Sequence, residues 1–211
     1  MTGEAVLLLA LAMVAAVGDW IAVHRGRKLL EYVCKPATLA LLVATALALD
    51  ADAGDVRTWF VVALVLCLFG DVFLMLPQDV FVPGLVAFLL GHLAYIGGML
   101  ADGVVLSRFG LGLFVVALAV SVIGLAILRA VRTGPEPEMT GPVAAYMLVI
   151  SAMVACAVGV GHPTGVAGAG LFYASDSLIA WNRFIGETRN GRLAIIVTYH
   201  LAQVGLVLSL V

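Results

Sequence analysis

Apolar residues in this chain come in blocks of roughly 18 to 24, separated by short polar joints. A helix rising about 1.5 Å per residue needs about 20 such residues to cross a hydrocarbon core of about 30 Å. Lipid offers the backbone no hydrogen-bond partner, so each block is expected to be an α-helix. The chain is 64% hydrophobic and 11% charged. Soluble domains carry about 25% charged residues, so this one cannot cover a water-facing surface. The reading is an all-α, polytopic membrane bundle of about eight helices.

The spans are expected near 4–23, 35–50, 57–76, 81–101, 108–130, 140–160, 166–184 and 191–211, within a single transmembrane domain covering 1–211. The joint TGPEPEMT at 133–140 has two prolines and two glutamates and reads as a loop. The N-terminal block opens with Glu4, and its positive charges follow it, so it is expected to stay as a first span. Cys34, Cys67 and Cys156 fall in or beside apolar blocks without a disulfide or zinc spacing. The net charge of −2 carries no nucleic-acid signature.

Lys and Arg divide unevenly between the two sides. Arg25, Arg27, Lys28, Lys35, Arg129, Arg132, Arg183, Arg189 and Arg192 share one side, and only Arg57 and Arg108 take the other. The basic side is expected to be cytoplasmic, with both termini outside.

Polar features recur at one period. Offsets of 106, 105 and 108 residues separate Pro36 from Pro142, Asp71 from Asp176 and His92 from His200. The segments around the histidines read His-Leu-Ala-Tyr-Ile-Gly and His-Leu-Ala-Gln-Val-Gly. Two four-helix halves, 1–105 and 106–211, inserted in the same orientation, are expected.

Ionisable groups inside a bilayer cost about 2.5–3.5 kcal/mol each on insertion scales and call for a reason. Asp71, His92, Asp176 and His200 lie between the basic end and the midplane, and the repeat would bring them to one cavity as two Asp/His sets. Tyr173 shares a face with Asp176, Gln203 follows His200 by three residues, and Tyr146 lies near the basic end of the sixth span; these are the supporting groups. Lys35, at the start of the second span, and Arg183 and Asn182, near the end of the seventh, suit a phosphate head group. Asp19 reads as an interfacial partner of the basic loop. Two carboxyls in a dry cavity can divide acid and base roles, a pairing suited to cleaving a C–O bond through an oxocarbenium-like state. Serine-nucleophile, nucleotide-binding and His-Glu zinc signatures are absent from the sequence.

The order Lys35-Pro36, GDVFLM (70–75), FVPGLVAFLLGHLAYI (81–96), FYASDSL (172–178) and YHLAQ (199–203) resembles the YhhN-like family of membrane lysoplasmalogenases, over nearly the whole chain. That resemblance implies hydrolysis of the vinyl ether bond of lysoplasmalogens to a fatty aldehyde and glycerophosphoethanolamine or glycerophosphocholine. It implies Asp71 and Asp176 as catalytic residues, His92 or His200 as proton relays, a lysophospholipid substrate among membrane lipids, and no cofactor or metal. A metal-dependent membrane lipid amidase or hydrolase, with Asp71, His92, Asp176 and His200 as an Asp/His metal site, a small-molecule or lipid transporter with a midplane polar site, and a non-catalytic lipid-binding scaffold are the alternatives. Head-group preference, the division of roles between the two Asp residues, and oligomeric state are not legible.

Overall fold

A computed structural model describes residues 1–49, 54–78 and 80–211, and every regular element among them is helical. In chain order these are α1 (Gly3–His24), α2 (Lys28–Ala48), α3 (Gly54–Met75), α4 (Phe81–Asp102), α5 (Leu106–Ala119), α6 (Leu125–Thr133), α7 (Thr140–Val160), α8 (Pro163–Phe184) and α9 (Gly191–Leu208). A π-helical turn at Val120–Gly124 joins α5 to α6, so the two form one rod from Leu106 to Thr133. The chain is a multi-pass membrane protein. Among the described residues, seven helical stretches are long and apolar enough to cross a membrane. A further helix, α8, is as long as these at 22 residues, but its glycines and polar residues lower its hydropathy.

The span edges agree with the hydropathy reading except in α2. This helix starts at Lys28, seven residues before the expected edge at Lys35. Gly26, at φ 65°, ends the preceding turn in the left-handed region, and the chain turns at once into α2. Glu31 then pairs with Lys28 at 3.4 Å and with Arg192 at 2.9 Å, which holds this charged extension in place. Pro36 therefore lies inside α2 rather than in its first turn, and Lys35 lies well within the helix. The expected end of this span, at residue 50, lies outside the described residues.

Neighbouring helices pack through small residues. A Cβ on Gly168 would come within 2.8 Å of the Ala202 carbonyl oxygen, and one on Gly205 within 2.9 Å of the Thr164 carbonyl oxygen. Glycine at both positions lets the α8 and α9 backbones approach, the usual basis of helix association in lipid. Helices pair α1 with α2, α3 with α4, α5 with α7, and α8 with α9. The ends of α1, α3, α6 and α8 and the starts of α2, α4, α7 and α9 lie at one end of the bundle, the basic end.

Candidate active site

Asp71 lies four residues before the end of α3, at the basic end. Its Oδ1 is 3.1 Å from Lys35 Nζ, and its Oδ2 accepts a 2.8 Å hydrogen bond from the Tyr199 hydroxyl. The early start of α2 puts Lys35 at this depth. Lys35 is thus the counter-ion of Asp71 rather than a charge at the membrane edge.

Asp176 lies eight residues before the end of α8. Its Oδ2 accepts a 2.5 Å hydrogen bond from the Tyr146 hydroxyl of α7. His92 Nε2, from α4, stands 3.6 Å from the same oxygen, beyond hydrogen-bond length. The His92 ring is wedged edge-on between Phe172, 4.6 Å away between centroids, and Tyr146, 5.3 Å away. Phe172 packs in turn against Tyr199 at 5.4 Å and Phe88 at 6.2 Å. An aromatic layer therefore separates the Asp71 set from the Asp176 set, although the two carboxyls remain within electrostatic reach of each other.

The two sets differ in access. The Asp71 side chain is 1% exposed and the Asp176 side chain 10%. Asp176 lines a cavity between α4, α6, α7 and α8 that holds about 680 Å³, counting its open mouth. Its wall is apolar apart from Asp176, Tyr146, Tyr173 and Ser177. Asp71, Lys35, His200 and Gln203 are not in the wall. Gly124, the last residue of the π-helical turn, is. π-helical turns cluster at functional sites, and nothing in the hydropathy pattern marks this one.

Phe81 and Phe184, both at the basic end, line the mouth and pack edge to face at 6.2 Å. Arg183 lies over the Phe81 ring at 4.9 Å and pairs with Glu136 at 2.9 Å. It thus sets a cation beside the opening. Asn182 is engaged elsewhere: its side-chain oxygen accepts from the Thr188 N–H and hydroxyl, both at 3.0 Å, in the joint between α8 and α9.

The remaining sequence candidates have partners outside the cavity. His200 Nδ1 accepts from the Trp20 indole N–H at 3.1 Å, and Gln203 accepts from the Tyr95 hydroxyl at 2.5 Å. Asp19 is fully buried rather than interfacial, and neither of its carboxyl oxygens has a hydrogen-bond partner. Glu31 meets the basic residues instead. Among the described residues, no three His, Cys, Asp or Glu side chains come together as a metal-binding group. His92 faces Asp176, whereas His200 faces Trp20, so the four-residue metal alternative is not assembled.

Tyr199 and Trp20 were not legible as site residues, although each has a signal. Tyr199 sits beside His200, and neighbours on a helix point about 100° apart, which turns it toward α3. Trp20 follows Asp19 in an otherwise apolar span and carries a donor that needs a partner when buried.

The YhhN family model matches residues 30–210. A protein of Mycobacterium bovis named "Lysoplasmalogenase" is 39% identical over 166 residues, 76% of this chain and 62% of that protein. The human "Lysoplasmalogenase TMEM86B" is 35% identical over 147 residues, 70% of this chain and 61% of that protein. Its rat counterpart is 31% identical over 177 residues, 83% of this chain and 70% of that protein. The match thus spans somewhat under two thirds of the mycobacterial and human relatives. No solved structure matches. With the family model covering most of its length and relatives above 30% identity over more than two thirds of it, this chain belongs to the YhhN family.

Proposed function

We propose that this protein is a membrane-embedded hydrolase that cleaves the vinyl ether bond of lysoplasmalogens, yielding a fatty aldehyde and a glycerophospho-alcohol. The observation that carries this reading is Asp176, held by Tyr146 at 2.5 Å beside His92, in the wall of an otherwise apolar cavity with a cation at its mouth. Similarity to proteins named lysoplasmalogenase supports it.

The contacts suggest a division of labour. Asp71 has Lys35 beside it and acts as the carboxylate. Asp176 has the neutral partners Tyr146 and His92 and acts as the acid. The Tyr146 bond occupies Oδ2, which leaves Oδ1 to carry the proton. That proton moves to the vinyl β-carbon, and the ether oxygen shares its electrons with the α-carbon to give an oxocarbenium ion. The newly formed Asp176 carboxylate and the field of Asp71 stabilise the cation. Water adds to the α-carbon and gives its proton to His92, which returns it to Asp176. The hemiacetal then breaks its C–O bond, its hydroxyl proton passes to the departing oxygen, and the aldehyde leaves. The alkenyl chain occupies the apolar wall, and the phosphate faces Arg183. The basic end faces the cytoplasm and both termini face outward, in keeping with the Lys and Arg distribution.

The test is to incubate purified protein with 1-alkenyl lysophosphatidylethanolamine or lysophosphatidylcholine, and with the 1-acyl forms beside them. The expected outcome is aldehyde from the alkenyl lipids and no fatty acid from the acyl lipids. Absence of aldehyde, or fatty acid release at a comparable rate, would overturn the reading.

A further inference from the structure

A second group of buried polar atoms lies on the other side of the aromatic layer and has no place in the chemistry above. Asp19, on α1, is fully buried with both carboxyl oxygens unpartnered. Its charged neighbours are Lys35, Glu31, Asp71 and Arg192, from α2, α3 and α9. On α9, His200 accepts the Trp20 indole proton at Nδ1, so its neutral ring carries hydrogen on Nε2. That Nε2 is buried and unpartnered, and the Gln203 side chain one turn further along the helix reaches Cys67 and Tyr199. Two acceptors and one donor are thus left open where α1 meets α9, near Lys35 and Asp71.

Buried polar groups of native proteins find partners, and where protein supplies none, ordered water does. Open acceptors beside an open donor match a molecule that both donates and accepts. An anion would meet Asp19 and Asp71, and a metal ion would lack a third ligand among the described residues. The hydrolysis consumes one water per turnover, while the wall of the Asp176 cavity is largely apolar. Tyr199 bridges the two regions: its hydroxyl bonds Asp71, and its ring packs on Phe172, which packs on His92. At the outer end of this cluster stands the Glu31–Arg192 pair.

We propose that the buried cluster of Asp19, His200, Gln203 and the Lys35–Asp71 pair binds water and supplies it to Asp176, with Asp19 as the residue that positions it. The supply role rests on the hydrolase reading; water binding does not.

The experiment is radiolytic hydroxyl labelling of the purified protein in lipid nanodiscs, with kinetics on the same samples. Bound water turns nearby side chains into labelling sites even when they are buried. Normalised for the intrinsic reactivity of each ring, Tyr199 is expected to label faster than Phe60, a comparably buried ring that packs on Tyr95, and Asp19→Leu is expected to abolish the difference. On alkenyl lysolipid, Asp19→Leu is expected to lower kcat by roughly tenfold with KM unchanged, and Asp19→Asn, which keeps two polar atoms, to recover most of it. Normalised labelling of Tyr199 no faster than that of Phe60 in the wild type overturns the water cluster, whatever the variants do. Enhanced labelling with full kcat in Asp19→Leu overturns the supply role. Enhanced labelling with no aldehyde from the wild type leaves the cluster standing and removes the hydrolase reading.

Discussion

The Tyr95 hydroxyl donates a 2.5 Å hydrogen bond to the side-chain oxygen of Gln203, 108 residues away in sequence. His92 and His200 are separated by the same 108 residues. Tyr95 and Gln203 therefore occupy equivalent positions in the two His-Leu-Ala segments, and they touch. Equivalent residues meet where a pseudo-two-fold axis passes, so this bond supports the proposal of two similarly inserted halves. The pairing of α1 with α2 and α3 with α4, echoed by α5 with α7 and α8 with α9, is in keeping with it.

Tyr95→Phe leaves the Gln203 amide oxygen buried without its donor, a loss of about 1–3 kcal/mol. Adding Gln203→Leu removes both polar groups, so the double variant is expected to unfold at a higher temperature than Tyr95→Phe alone. Thermal unfolding in nanodiscs, followed by circular dichroism, checks this. A double variant with the summed losses of the two single ones would mean that the bond is not what couples these helices.

Lys35→Met strips the Asp71 carboxylate of its counter-ion in a dry environment, at a cost of about 3–5 kcal/mol. Lys35→Arg keeps the charge and is expected to lose less. A Lys35→Met protein with wild-type thermal stability would contradict the buried pair.

Gly124 borders the cavity, and a Cβ there would meet the Met147 methyl group, the flexible end of a side chain. Gly124→Leu is expected to fold but to shorten the space for the alkenyl chain. Measured over a series of chain lengths, kcat/KM is expected to fall for long chains and hold for short ones. An unchanged profile would place the chain elsewhere.

Arg183→Ala removes the cation at the cavity mouth, and KM for alkenyl lysolipid is expected to rise roughly tenfold with little change in kcat, as for loss of one charge-assisted contact. A loss confined to kcat would place Arg183 in the chemistry instead.

Much of this architecture was legible in the sequence, for reasons that differ from residue to residue. The spans followed from the length of the apolar blocks, because lipid leaves the backbone one solution. Asp71, Asp176 and His92 stood out because a polar group at membrane depth is costly. Partnerships were harder. Lys35 looked like an edge charge because Lys28 and Glu31 suggested a loop, whereas their pairing with each other and with Arg192 extends the helix. Asp19 looked interfacial because basic residues follow it, yet Glu31 takes those contacts. The division between an enclosed Asp71 and a cavity-facing Asp176 depends on Phe88 and Phe172, whose aromatic rings read as ordinary packing residues. The π-helical turn left no mark because its residues are as apolar as those of the turns around it.

The central claim is that Asp176 protonates the vinyl ether. The direct test is the single-turnover rate of aldehyde release from 1-alkenyl lysophosphatidylethanolamine by wild type and Asp176→Asn, both saturated with substrate. Loss of a positioned acid is expected to slow the step by about 10²–10⁴-fold, with one deuterium at the carbon next to the aldehyde when the wild type turns over in D2O. An Asp176→Asn protein within a few-fold of the wild-type rate, or an aldehyde formed in D2O without that deuterium, would contradict the account.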